Sequence, residues 1–149
     1  MKTIYGLTMV LGISLAIAWP AHARDDKLLL SITAALESSE AQGKLDGSVK
    51  FFFGTQEHPT ILTKLGSDVS NLKTNAFNKS DERACNWVFL STMIALQKRA
   101  KQLGANAVVN IISYYKKVPM SSTTEFECHA GAIIAGVALK GDFVKIADK

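Results

Sequence analysis

The fold is decided by one stretch, SDERACNWVFLSTMIALQKRAKQLGANAVVNIISYY (residues 80–115), in which a helical pattern changes into a strand pattern at a glycine. Ser80 is a favourable N-cap, and Asp81 and Glu82 suit the positive end of a helix dipole. Apolar residues then recur at helical spacing up to Gly104, a residue type that commonly ends helices. The pattern predicts a helix of about 22 residues, about 33 Å long.

Residues 105–115 follow as a strand with two apolar faces. Val109 and Ile111 share one face, and Val108 and Ile112 share the other. Such a strand is typical of a central position covered on more than one side. The cover could come from the amino-terminal helix or from a second subunit, so the oligomeric state is left open.

The rest of the chain predicts shorter elements. Residues 25–43 have helical spacing and predict a short helix. Strands are predicted over residues 49–53, 68–74, 105–115 and 124–140, the last bent at Gly131 or Gly136 and extended by residues 142–146. The order predicts an α+β fold: an antiparallel-rich sheet of about four strands packed against one long helix, with an additional short amino-terminal helix. The last two strands are expected to pair as a hairpin across residues 116–123.

Residues 1–23 have the features of a secretory signal peptide. Lys2 precedes an apolar run over residues 7–19, and Ala21-His22-Ala23 places small residues where a signal peptidase cuts. The rival interpretation is a membrane-spanning helix, which needs roughly 20 apolar residues, and the run over residues 7–19 is shorter than that. We therefore expect cleavage after Ala23, no integral membrane span, and a single periplasmic or secreted domain over residues 24–149.

Charge and motifs narrow the function classes. Removal of Lys2 with the signal lowers the formal charge from +4 to +3, which favours weak attraction to anionic envelope surfaces. Export makes nucleic acid an unexpected partner. No catalytic constellation or cofactor motif occurs, so neither an enzyme nor a cofactor is predicted. The expected partner is an unknown envelope protein or surface component.

Cys128 and His129 are adjacent, and three interpretations compete: a metal site, a nucleophile with its base, or half of a disulfide. On a strand, neighbouring side chains point to opposite faces, which disfavours the first two. An oxidising compartment favours pairing of Cys128 with Cys85, which lies on the apolar stripe of the long helix. His58 and His129 are the candidate ligands for a metal, although a zinc site needs about four donors.

A partner surface is predicted from aromatic residues. Phe52 lies in a run of three phenylalanines, and at least one of them must face outward on a regular strand. Tyr114 and Tyr115 fall on opposite faces of their strand, so one is a candidate for exposure. Glu125 and Glu127 share a face and are interpreted as a solvated edge.

Ala105-Asn106-Ala107-Val108-Val109 after Gly104, followed by Glu127-Cys128 and a small-residue strand over residues 130–139, resembles the RcsF-like and YbjQ-type domains. The resemblance covers about residues 84–139. It implies an α+β sandwich with a long-range disulfide, which Cys85 and Cys128 fit by position. It also implies an alternative function, small-ligand or heavy-metal binding of the YbjQ type. The second, nested disulfide, the lipoprotein cysteine and the proline-rich tether of RcsF-like proteins have no counterpart here.

The whole mature chain is also similar to small exported bacterial proteins often labelled "excinuclease ATPase subunit". The resemblance lies in residues 46–54, 73–77, 109–117 and 127–131. The label disagrees with this sequence, which has no G-x-x-x-x-G-K-[ST] phosphate loop and no zinc-finger cysteine set. The expected function is therefore a non-enzymatic periplasmic domain that binds a protein or an envelope component.

Overall fold

The structure, a computed structural model, describes residues 23–147. The predicted signal peptide, apart from Ala23, lies outside the described residues. The elements are β1 (Asp26–Ser31), α1 (Ile32–Glu37), β2 (Lys50–Phe53), β3 (Ile61–Asn75), α2 (Asp81–Leu103), β4 (Ala107–Ser113), β5 (Glu125–Ala130) and β6 (Ile134–Ile146), with a 3-10 turn at Tyr115–Lys117 between β4 and β5. Within this part of the chain, no helix has the length and apolar character needed to cross a membrane.

The long helix α2 is confirmed, including both of its ends. The Ser80 side chain accepts a hydrogen bond from the Arg83 backbone N–H, which otherwise has no partner inside the helix. Gly104 adopts a left-handed conformation with φ of 73°, and its N–H donates to the carbonyls of Ala100 and Lys101. A left-handed residue at this position suits glycine, so the sequence determines where the helix stops.

Strand β6 organises the six-stranded mixed sheet. One edge of β6 pairs with β3 along its whole length, from Ile134 opposite Asn75 to Ile146 opposite Ile61. The other edge pairs first with β5 and then with β4, so these two strands lie end to end along it. Strand β1 continues the sheet antiparallel beyond β5, and β2 continues it in parallel beyond β4. The sheet therefore has two arms on this side of β6.

Several boundaries differ from the sequence prediction. The segment predicted as one short helix is strand β1 followed by the six-residue α1, because Leu28 and Leu30 alternate toward the core opposite Cys128 and Phe126. The sheet has six strands instead of about four, and β3 begins at Ile61. The α+β class is confirmed.

The predicted hairpin across residues 116–123 is wrong. Strand β4 pairs with β6, and the hairpin joins β5 to β6. Its turn closes where the Gly131 N–H donates to the Ile134 carbonyl, so the predicted bend at Gly131 is a reversal of the chain. The central position of β4 is confirmed, since it lies between β6 and β2.

The main core lies between α2 and the sheet. Phe89 of α2 stacks on Phe126 of β5 with ring centroids 4.1 Å apart. A second, smaller cluster on the other face contains Ala107, Val109, Val144 and Ile146, with Phe52 and Ile61 packed against it. Both faces of β4 are thus covered within one chain, so its apolar pattern requires no second subunit.

Candidate functional site

Strand β5 directs Cys128 and His129 to opposite faces of the sheet, as strand geometry predicts. Cys128 points toward α2 and forms a disulfide with Cys85, with the two Cα atoms 5.9 Å apart. Both cysteines are fully buried in the main core. The predicted disulfide is confirmed, and both sulfurs are engaged in it.

His129 lies between two carboxylates on the opposite face. Its Nε2 is 2.7 Å from Oε1 of Glu127, and its Nδ1 is 3.1 Å from Oδ1 of Asp25. Both ring nitrogens thus lie within hydrogen-bonding distance of a carboxylate oxygen. The ring therefore links β5 to the segment that leads into β1.

Tyr115 covers the His129 ring. The two rings are nearly parallel, 8° apart, with centroids separated by 3.7 Å. The next residue, Lys116, adopts φ of 50° and donates from Nζ to Oδ2 of Asp25 at 3.1 Å. The 3-10 turn thus holds both the histidine and one of its carboxylate partners, and we call Asp25, Tyr115, Lys116, Glu127 and His129 the His129 cluster.

Glu127 is the buried anion of the cluster, with 5% of its surface exposed. Burial raises the pKa of its carboxyl, but the hydrogen bonds from His129 and from Lys27 of β1 outweigh burial and hold the pKa below its usual value. The pKa of Asp25 is also lowered, chiefly by the hydrogen bond from Lys116. Both acids are therefore ionised at neutral pH.

The interpretation of Glu127 as part of a solvated edge is wrong, whereas Glu125 is exposed as expected. The difference arises because β1, which was not predicted as a strand, pairs with β5 and brings Lys27 to the Glu127 carboxylate at 3.0 Å.

A groove of about 350 Å³ opens beside the His129 cluster. Tyr115 and His129 line it together with Ile133 and Ile134 of the β5–β6 turn, which are both exposed. Lys73 of β3 also lines the groove, and among residues 23–147 it forms no ion pair. We call this feature the Ile133 groove.

The amino-terminal segment forms another part of the groove lining. Arg24 pairs with Asp26 and with Asp81 at the start of α2. The Arg24 carbonyl oxygen lies so close to Gly131 that a Cβ at that position would be 2.8 Å from it. The absence of a side chain at residue 131 is therefore what lets this segment lie against the β5–β6 turn.

The predicted partner surface is divided between separate places. Phe52 packs edge-on against His58, with ring centroids 5.6 Å apart, and contributes to the smaller apolar cluster. Tyr114 is half-buried, and its ring carries Lys140 Nζ at 5.3 Å. Of these aromatics, Tyr115 alone lines the Ile133 groove.

The two candidate metal ligands are also separated, since His58 packs on Phe52 and His129 on Tyr115. Residues 23–147 contain no group of three or more His, Cys, Asp or Glu side chains placed to hold a metal ion. Asp25 and Glu127 contact different nitrogens of one imidazole, which point in different directions, so the three side chains do not converge on one point. With both nitrogens engaged, His129 also has no nitrogen free to act as a general base in this geometry.

Asp25, Lys27 and Lys73 were not predicted as site residues. The alternation of Asp25, Lys27 and Leu29 with Leu28 and Leu30 is a strand signal that could have placed the first two on the His129 face. No local pattern indicates that Lys73 and Tyr115 line the same groove, because the position of Lys73 depends on the long β3–β6 pairing.

Comparison of the chain with family models, with curated proteins and with solved structures finds no match. The disulfide, the His129 cluster and the Ile133 groove are therefore the features that bear on function.

Proposed function

We propose that this chain is an exported, non-enzymatic domain, stabilised by its disulfide, that binds an envelope protein through the Ile133 groove. The observation that carries the proposal is the groove itself, in which exposed isoleucines and a lysine without an ion pair among residues 23–147 adjoin a rigid aromatic and ionic cluster. Its volume of about 350 Å³ is at the lower end of ligand sites, which suits one anchoring side chain or a short peptide segment.

Two observations support export: the amino-terminal sequence and the disulfide. The sequence of residues 1–23 has the features of a signal peptide. The disulfide between Cys85 and Cys128 belongs to the type of bond that persists in oxidising compartments. The resemblance of residues 84–139 to RcsF-like domains agrees with a periplasmic binding role.

The partner chemistry follows from the groove lining. Ile133 and Ile134 offer apolar contact area that is costly to leave in water, at about 25 cal/mol per Å². Lys73 offers an ammonium group with no carboxylate partner among the described residues. If cleavage follows Ala23, which lines the groove, the new α-ammonium group of Arg24 lies at the same place. These groups favour a partner segment that carries apolar side chains beside a carboxylate.

Rigidity is the second reason to place binding here. His129, held by Asp25 and Glu127 and covered by Tyr115, presents a wall whose side chains have already lost their conformational freedom. A preformed surface binds more tightly because little ordering entropy is lost on association. The same contacts give the His129 cluster a structural task that does not require catalysis.

The test is site-specific photo-crosslinking in the expressing cells. A photoreactive amino acid replaces Ile133, which is 63% exposed, or Leu62, which is 66% exposed and serves as the matched control. Ile133 lies beside the carboxyl end of β3, and Leu62 lies near its amino end, roughly 40 Å away along the strand. The proposal expects a defined crosslinked protein at position 133 and none at position 62.

A charge reversal sharpens the test. Lys73→Glu places an anion in the groove and should abolish the crosslink at position 133, whereas Lys64→Glu, on the same strand near its other end, should leave it intact. Equal crosslinking at positions 133 and 62, or a crosslink indifferent to Lys73→Glu, would show that the groove is not the binding site.

A further inference from the structure

A half-exposed tryptophan on α2 lies between two hollows. Trp87 is 48% exposed, which is unusual for the largest apolar side chain. One hollow of about 330 Å³ and a second of about 280 Å³ both have Trp87, Arg83 and Glu40 in their lining. Thr74, Asn75, Lys79 and Ala84 also line the first hollow, and Ser80, Glu82 and Asn86 also line the second. We call this pair the Trp87 hollows.

The cations around Trp87 have free hydrogen-bonding capacity. The Arg83 guanidinium forms no hydrogen bond within residues 23–147, and its nearest carboxylate, that of Glu40, is 4.0 Å away. Arg83 and Trp87 are four residues apart on α2, so their side chains are neighbours on one helix face. Lys79 Nζ donates to the Asn75 carbonyl, which leaves its remaining N–H groups available.

The Trp87 hollows lie apart from the Ile133 groove. Lys73 lines the groove and Thr74 lines the first hollow, and neighbouring residues of a strand point to opposite faces. The two sites therefore have separate linings, and a ligand at one does not occupy the other.

We propose that the Trp87 hollows bind an acidic saccharide. An indole face carries partial negative charge and attracts the weakly positive C–H groups on one side of a sugar ring. In the first hollow, where Arg83 and Lys79 outnumber Glu40, the Arg83 fork matches a sugar carboxylate in a bidentate geometry. Glu40, Asn75 and Asn86 supply the acceptors and amide groups that hydroxyls require, and the hollows on either side of the indole allow for successive sugar units.

The surroundings favour a saccharide over a second protein surface. The second hollow is lined by Glu40, Ser80, Glu82, Arg83, Asn86 and Trp87, so its only apolar side chain is the indole. Protein interfaces concentrate apolar side chains and exclude charge from their centre. A single aromatic ring surrounded by charged and amide groups meets the needs of a ligand rich in hydroxyl groups.

Intrinsic fluorescence provides a direct test, because the chain contains only two tryptophans, Trp19 and Trp87. In the Trp19→Phe protein, Trp87 is the sole tryptophan whether or not the signal peptide is removed. The protein is titrated with an oligogalacturonate of four units and with a neutral galactose oligomer of the same length. We expect saturable quenching or a spectral shift with the acidic oligomer, and binding at least about tenfold weaker for the neutral one.

Matched arginine variants assign the effect to the site. Arg83→Gln should weaken binding of the acidic oligomer about tenfold or more, through loss of the charge-assisted pair. Arg99→Gln removes the same charge from a later turn of α2 and should change affinity less than about twofold. No spectral response to either oligomer, equal affinity for both, or equal loss in the two variants would overturn the proposal. Retained binding in Trp87→Ala, measured by calorimetry, would also overturn it.

Discussion

The two faces of strand β5 show how one short segment serves two kinds of interaction. On the face toward α2, Cys128 and Phe126 meet Cys85 and Phe89, and the contacts are covalent and apolar. On the other face, Glu127 pairs with Lys27 of β1, and His129 contacts Asp25 and the ring of Tyr115. The first face holds the domain together, and the second shapes the site proposed to bind a partner.

The difference shows why adjacent residues cannot be assigned a joint function from their order alone. Cys128 and His129 are neighbours in sequence, yet the pleat of the strand separates their side chains by the thickness of the sheet. The same alternation unites residues that are distant in sequence, such as Asp25 and His129. Substitutions on the two faces should therefore change stability by different amounts.

Loss of the disulfide should have the largest effect on stability. Cys85→Ala with Cys128→Ala removes a bridge with a sequence separation of 43. The loop-entropy relation gives a loss of about 4 kcal/mol in the free energy of unfolding. Urea denaturation followed by circular dichroism, with and without reductant, measures it. An unchanged midpoint on reduction would mean that the bridge does not constrain the unfolded chain.

Neutralising the buried carboxylate should lower the free energy of unfolding by less than loss of the disulfide does. Glu127→Gln keeps the side-chain shape but loses charge-assisted hydrogen bonds to His129 and Lys27, so the free energy of unfolding should fall by about 2 kcal/mol. Glu125→Gln is the matched control, since Glu125 shares the strand face and is exposed, and it should change stability by less than about 0.5 kcal/mol. Equal changes in the free energy of unfolding would show that the buried Glu127 stabilises the fold no more than the exposed Glu125.

Removing the ring that covers His129 should have a still smaller effect. Tyr115→Leu keeps apolar area but loses the stacked aromatic pair, so the free energy of unfolding should fall by about 1 kcal/mol. The specific readout is the NMR position of the His129 ring protons, which the Tyr115 ring current displaces upfield. These signals should move downfield in Tyr115→Leu. If they stay in place, the two rings are not stacked in solution.

The smallest effect should be the contribution of Glu127 to the pH dependence of the free energy of unfolding. Its pKa is lowered in the folded chain, so the folded state binds this proton less readily than the unfolded state, whose carboxyl has a pKa near 4.5. The stabilisation is present above that value and is lost as pH falls through the lower folded pKa. Urea unfolding between about pH 3 and 6 should show a shallower acid slope for Glu127→Gln than for the parent protein. Parallel slopes would exclude Glu127 as a source of the dependence.

The sequence predicts the parts of the fold that depend on local chemistry. The N-cap at Ser80, the stop at Gly104 and the apolar stripe between them specify α2 within the chain itself. The disulfide was predicted because compartment and helix face agreed. The sheet was predicted less well, since β1 and most of β3 are exposed strands whose alternation is partial, and their partners lie far away in sequence.

The candidate site depends on long-range contacts and was predicted only in part. His129 and Tyr115 were both singled out from the sequence, but for different reasons and without an expected contact between them. Their stacking depends on how the 3-10 turn after β4 lies against β5, which no local pattern specifies. Asp25 and Glu127 join them only because β1 pairs with β5.

Export and oxidation are tested most directly by intact mass and a free-thiol count on protein purified without reductant from the expressing host. We expect the mass of residues 24–149 less two hydrogens and no free thiol, which requires both export with cleavage after Ala23 and the Cys85–Cys128 bridge. A full-length mass with two free thiols would contradict export and oxidation together, and the proposal of an exported binding domain would fall with them.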